Sequence, residues 1–207
     1  MSAIQQVLTH KIVAVVRLDD YNRAIEVAQA LGRGGISVLE FTLTGKGAIE
    51  AVGKVRAALG DAVCVGVGTV LHAEDVQAAI DGGAEFIVTP AVRKQVIAAC
   101  VNRNTLVLSG GFTPTELLEA YEAGSELVKL FPAQQGGPRY LKDVLAPLPF
   151  LKLVPTGGVS AENAHDYLAA GAVALGIGGN LVSNKLVAAG AFDEITAVAR
   201  ACVAAAH

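Results

Sequence analysis

Residues 62–89 read AVCVGVGTVLHAEDVQAAIDGGAEFIVT. A β-branched run over 62–66 gives way to an Ala-rich run over 73–81, then Gly82-Gly83, then a second apolar run over 86–89. Short apolar runs bounded by glycine read as buried strands, and the longer amphipathic segment between them reads as a helix. His72-Ala73-Glu74-Asp75 places acids in the first helical turn, where the helix dipole favours them. The glycine pair is a C-terminal stop. Two strands joined through a helix run parallel.

The same unit recurs along the whole chain. Strand candidates lie at 11–17, 37–43, 62–66, 86–89, 105–108, 127–131, 151–155 and 172–176. Helix candidates lie near 20–33, 46–58, 73–81, 93–102, 114–122, 138–145, 161–170 and 190–205, with a short extra helix at the N-terminus. Thr113-Pro114-Thr115-Glu116 shows a cap residue before a proline at the first helical position. Eight strand–helix units is the number of the (β/α)₈, or TIM, barrel. A doubly wound open sheet is the competing architecture, but it usually has fewer units, so the barrel is expected. At 207 residues the loops must be tight. No linker, charge block or low-complexity segment interrupts the chain, so one domain over 1–207 is expected.

Composition narrows the function. Charged residues make up 17% of the chain, hydrophobic residues 53%, and mean hydropathy is +0.50, which excludes disorder. Lys plus Arg is 16 against 19 for Asp plus Glu, a net charge of −3, so no basic field marks a nucleic-acid partner. The apolar runs are too short to span a membrane, and MSAIQQVLTHK is not a signal peptide. Cys64, Cys100 and Cys202 form no CxxC, and His10, His72, His165 and His207 show no ligand spacing. The expectation is a protein of the reducing cytoplasm with no metal site.

In a barrel, function sits at the C-terminal ends of the strands, so polar residues there are informative. Lys129 lies in Glu126-Leu127-Val128-Lys129-Leu130-Phe131-Pro132, sharing a face with Leu127 and Phe131 by period two. Loss of hydration favours an uncharged amine, which is a nucleophile toward carbonyls. The alternative is a lysine paired with an acid. Glu40, in Val38-Leu39-Glu40-Phe41-Thr42-Leu43, is either a general base or that structural partner. Arg17 ends Val13-Ala14-Val15-Val16-Arg17 and either grips a carboxylate or forms a rim salt bridge. Thr69 ends Gly66-Val67-Gly68-Thr69, a ligand approach or a glycine-rich turn; the pair of glycines lacks the third of a dinucleotide fingerprint. Pro155-Thr156-Gly157-Gly158-Val159-Ser160 and Gly176-Ile177-Gly178-Gly179-Asn180 end the last two strand candidates, the usual place for phosphate in a barrel. A buried Lys, a buried Glu, an Arg and a phosphate cradle fit amine-based carbonyl chemistry on a phosphorylated acid.

In order, Ile12-Val13-Ala14-Val15-Val16-Arg17, Val38-Leu39-Glu40-Phe41-Thr42, Gly66-Val67-Gly68-Thr69-Val70, Phe86-Ile87-Val88-Thr89-Pro90, Val128-Lys129-Leu130-Phe131-Pro132, Gly137-Pro138-Arg139-Tyr140 and Val154-Pro155-Thr156-Gly157-Gly158-Val159 resemble one family. It is the bacterial 2-keto-3-deoxy-6-phosphogluconate (KDPG) and 4-hydroxy-2-oxoglutarate aldolases, matched from Ile12 to about Val182. The resemblance implies a class I aldolase without a cofactor, acting on a phosphorylated 2-keto acid, and a homotrimer. By the same resemblance Lys129 is the Schiff-base lysine and Glu40 the acid/base. Arg17, Thr44 and Thr69 serve the pyruvyl carboxylate. Thr156, Phe131 and Pro90 shape specificity, and Gly157, Gly158, Gly178 and Gly179 hold phosphate. Thr156 matches gluconate-type members, whereas galactonate-type members tend to have Val. Three positions depart from the family pattern: Gly179 where Ser is common, Gln134 where an acid is common, and Ser109-Gly110-Gly111 in place of Pro-Gly. KDPG cleavage is the expected reaction. Rivals are the same chemistry on 4-hydroxy-2-oxoglutarate or the galactonate epimer, and a phosphate-binding barrel isomerase without a Schiff base.

Overall fold

A computed structural model describes residues 1–207. Eight parallel strands alternate with helices: β1 Ile12–Val16, β2 Val38–Thr42, β3 Cys64–Gly68, β4 Phe86–Val88, β5 Leu106–Gly111, β6 Leu127–Leu130, β7 Leu153–Pro155 and β8 Leu175–Ile177. The helices are α1 Ala3–His10, α2 Ala24–Arg33, α3 Ala48–Leu59, α4 Glu74–Asp81, α5 Lys94–Val101, α6 Pro114–Glu122, α7 Gly137–Leu145, α8 Ala164–Ala169, α9 Asn184–Ala188 and α10 Phe192–Ala206. Ladders join neighbours in the order β7-β6-β5-β4-β3-β2-β1-β8. The ring closes through a Thr156–Gly176 bridge and a 3.0 Å bond from Val173 N–H to Leu153 O. This is the (β/α)₈ barrel.

Alternation along each strand divides the apolar residues into two cores. Val128, Leu130, Leu39, Phe41 and Val65 face outward and pack under the helices. Val13, Val38, Cys64, Phe86, Val88, Leu108, Leu127, Val154 and Ala174 face inward and fill the lower barrel. Burying each large aliphatic side chain in this way contributes roughly 1.5–3 kcal/mol. Helix α1 closes the N-terminal mouth, with Val7 joining the inner core. A capping box fixes its start: Ser2 Oγ accepts from Gln5 N–H at 3.4 Å, and Gln5 Oε1 accepts from Ser2 N–H at 2.9 Å. Thr113 and Glu116 build the same box at α6, as the Thr-Pro-x-Glu run predicts.

The boundaries differ from the sequence reading where glycine occurs. The third strand runs over 64–68 rather than 62–66, the fifth continues to Gly111 rather than stopping at 108, and the eighth is 175–177 rather than 172–176. Glycine was read as punctuation, but inside this barrel it supplies room. A Cβ on Gly66 would enter the Phe86 ring, and one on Gly68 would enter the Glu40 carboxyl. The expected final helix over 190–205 is α10, and a short helix that the sequence reading did not include, α9, precedes it, the two being separated at Gly190, whose φ is +68°.

Gly66→Ala should therefore lower stability by about 1–3 kcal/mol through overpacking against Phe86. A denaturant titration should show a reduced midpoint, and Phe86→Leu in the same chain should restore part of it.

Candidate active site

Register fixes which residues share the barrel interior. Glu40 on β2 stands opposite Val15 on β1 and Gly66 on β3. Lys129 on β6 stands opposite Gly110 on β5 and Val154 on β7. Both side chains sit one step above the inner apolar core, and both residues are buried, at 2% and 5% exposure. Lys129 Nζ lies over the Phe131 ring, 5.2 Å from its centroid, as the shared face predicts. Neither charge has a direct partner: Lys129 enters no ion pair, and Glu40 Oε1 has no hydrogen bond. Burial pushes the Glu40 carboxyl above the ordinary carboxylate range, and the charges of Lys129 and Arg17 pull it back only in part.

A cavity of about 390 Å³ opens at the C-terminal ends of β1, β6, β7 and β8, a usual size for a small-molecule site. Of the sequence-predicted residues it brings together Lys129, Arg17, Phe131, Thr156 and all four glycines 157, 158, 178 and 179. Arg17 and Lys129 are its only charged residues. Arg17 is exposed and enters no ion pair, so the rim salt bridge read as its alternative role is not formed.

Glu40, Thr44, Thr69 and Pro90 lie outside this cavity, on the next strands around the ring. Thr44 is exposed, and its hydroxyl meets that of Thr42 at 2.8 Å. The Tyr21 hydroxyl ties the ends of β1 and β2 together, accepting from Thr42 N–H at 3.1 Å and lying 3.0 Å from Val16 O. Thr69 is held at φ +59°, an uncommon conformation for a β-branched residue, with its neighbour Val70 bonded across to Val88 O. Pro90 is half-buried after β4, and the preceding Thr89 hydroxyl accepts from Gly110 N–H at 3.2 Å.

The two glycine clusters form one cradle. Asn180 Nδ2 of the second donates to Val159 O of the first at 3.1 Å. Gly157 and Gly158 adopt φ +95° and +74°, left-handed values that suit glycine. The N–H groups of Gly157, Gly158, Gly178 and Gly179 donate to no group of the protein. Unspent backbone donors lining one cavity are available to an anion. Sequence reading gave no role in this cavity to Gln134, Asn180, Ser183 and Asn184. The spacing of Ser183 ahead of Leu186, whose N–H it caps at 3.3 Å, is the one local signal available for them.

The sequence pattern of the family described as KDPG and KHG aldolase matches residues 4–198. A 2-dehydro-3-deoxy-phosphogluconate aldolase of Haemophilus influenzae is 34% identical over 198 residues, 95% of this chain and 93% of its own. A KHG/KDPG aldolase of Escherichia coli is 33% identical over 204 residues, 98% of this chain and 95% of its own. Among solved structures, the KDPG aldolase of Legionella pneumophila, with pyruvate captured at low pH as a covalent carbinolamine intermediate, is similar at a TM-score of 0.89. It is 27% identical and is matched over 98% of each chain. The chain belongs to the KDPG and KHG aldolase family.

Proposed function

We propose that this chain is a class I aldolase that cleaves KDPG to pyruvate and glyceraldehyde 3-phosphate, with Lys129 as nucleophile and Glu40 as acid/base. The carrying observation is that one cavity joins a buried lysine without an acid partner to four glycine N–H groups without acceptors. The first suits a carbonyl and the second a phosphate, which a phosphorylated 2-keto acid offers together. Among the family's two substrate classes, the unspent glycine cradle favours the phosphorylated one.

The uncharged Lys129 amine attacks the C2 ketone, and loss of water leaves an iminium beside C3. Glu40, as carboxylate, takes the C4 hydroxyl proton. The C3–C4 bond breaks, its electron pair moves toward the iminium nitrogen, and glyceraldehyde 3-phosphate leaves. The resulting enamine takes a proton at C3, and water hydrolyses the imine to release pyruvate and free Lys129. Thr44 and Thr69, at the ends of neighbouring β2 and β3, receive the pyruvyl carboxylate. Arg17 on the next strand adds positive charge between that end and the cradle. Phe131 and Pro90 wall the reacting carbons, and the Thr156 hydroxyl distinguishes substrate stereochemistry. Phosphate binding far from the broken bond mostly lowers KM.

One domain over 1–207 carries these steps in this reading. A homotrimer in the cytoplasm completes it. Exposed Val101, Tyr121 and Phe150 support association through an apolar surface, and three buried free thiols support a reducing compartment.

Borohydride reduction in the presence of pyruvate, followed by peptide mass mapping, should find a pyruvyl adduct on Lys129, and Lys129→Ala should lose both adduct and turnover. A folded protein with no adduct on any lysine would return the choice to the isomerase. Glu40→Gln should lower kcat by about 10²–10⁴-fold. Because burial raises the Glu40 pKa and the carboxylate is the active form, wild-type kcat should climb with pH through a value above the ordinary carboxylate range. The variant should lack that rise; a variant with wild-type kcat would make Glu40 a structural residue.

A further inference from the structure

The reaction steps above leave without a role a chain of three hydroxyls at the end of β2. The Thr44 hydroxyl lies 2.8 Å from that of Thr42, and the Thr42 hydroxyl lies 3.2 Å from that of Tyr21. Thr44 is exposed, whereas Thr42 and Tyr21 are buried, at 0% and 4% exposure. The chain thus leads from the core outward to an exposed hydroxyl. Thr42 is the one protein group hydrogen-bonded to the Thr44 side chain.

The tyrosine is held without help from its hydroxyl. Its ring packs edge-on against Phe41, with centroids 5.4 Å apart and planes at 87°. Its carbonyl accepts from Ala24 N–H at 3.1 Å. The loop after β2 rests on it: a Cβ on Gly45 would enter the Tyr21 ring and Leu18 O, and Lys46 N–H donates to Asp19 O at 3.0 Å. Burial, outweighing the hydrogen bonds it forms, raises the Tyr21 pKa above its ordinary value, so the phenol keeps its proton across the neutral range.

Direction along the chain follows from counting protons. A hydroxyl has one proton to give and can accept as well. When Thr44 gives its proton to a carboxylate, its oxygen is left to accept, and Thr42 is the donor in reach. Thr42 has then spent its proton and accepts in turn from Tyr21. Tyr21 can make that donation because Thr42 O, the nearest competing acceptor at 2.8 Å, also receives Gly45 N–H at 3.3 Å. Hydrogen bonds that run in one direction strengthen one another.

We propose that Tyr21 is a positioning residue that, through the buried Thr42 hydroxyl, orients the Thr44 hydroxyl to donate to the substrate's carboxylate. This inference rests on the aldolase reading above, which puts the pyruvyl carboxylate at Thr44, and adds the groups that aim that hydroxyl.

The test measures the pyruvate concentration that half-saturates borohydride trapping on Lys129, together with kcat and KM on KDPG and inhibition by inorganic phosphate. Tyr21→Phe keeps the ring and removes the hydroxyl. Thr42→Val keeps the shape and breaks the second link, so the test does not depend on one variant folding. Each should raise the half-saturating pyruvate concentration and KM for KDPG about two- to tenfold, the size of one weakened hydrogen bond. The inhibition constant of phosphate and kcat should stay near their wild-type values. In a Thr44→Ala background neither change should have a further effect, because residues that act as one chain are not additive. Unchanged pyruvate saturation in the folded variants, a matching loss for phosphate, or losses that add to that of Thr44→Ala would overturn the role of Tyr21 while leaving the aldolase reading intact. A folded wild-type protein that forms no pyruvyl adduct would overturn both.

Discussion

A barrel of eight short strands encloses a fixed interior volume, and this one divides it unequally. The lower half is filled by Val13, Val38, Phe86, Leu127 and their neighbours, and sealed from below by Val7 of α1. The upper half admits Glu40 and Lys129. That division depends on glycine. At Gly66 the vacant Cβ position holds the Phe86 ring, which completes the apolar floor. At Gly68, one inward step higher, it holds the Glu40 carboxyl. A larger residue at either place would push its neighbour out of position, the first to the cost of the core and the second to the cost of the acid.

The electrostatics follow from the same geometry. A buried carboxylate usually takes a partner, because an unsatisfied polar atom costs about 1–3 kcal/mol. Glu40 keeps one oxygen unpaired and is influenced only at a distance by Lys129 and Arg17. A direct Glu40–Lys129 ion pair would occupy both groups. Two separated groups leave the amine and the carboxyl free for the proposed chemistry.

Much of this was legible in the sequence, for a physical reason. Strand periodicity is 2, so Lys129 had to share a face with Leu127 and Phe131, and a charge on an apolar face is visible in one dimension. The eight repeated units, the cap at Thr113 and the acids Glu74 and Asp75 in the first turn of α4 were legible for similar reasons, since local interactions dictate them. What escaped was set by contacts between strands. Gly66 and Gly68 look like a turn until Phe86 and Glu40 from neighbouring strands are seen in their space. Arg17 opens into the cavity of the glycine loops, whereas Thr44 and Thr69 follow the neighbouring strands β2 and β3 outside it. Gln134 and Asn180 sit in turns and Asn184 starts the five-residue helix α9, where no periodicity records which way a side chain faces.

The two ends of the cavity also differ in what can alter them. At the reacting end, side chains are the working groups, and one substitution removes a function. At the cradle, the donors are main-chain N–H groups of Gly157, Gly158, Gly178 and Gly179, which of all substitutions only one to proline would delete. Such a site binds any suitably placed anion and discriminates poorly by itself, because backbone donors are alike. Selectivity has to come from a side chain that reaches the same anion without being committed to the fold. Arg17 is exposed in the cavity and engaged in no ion pair, so it is free for such a role.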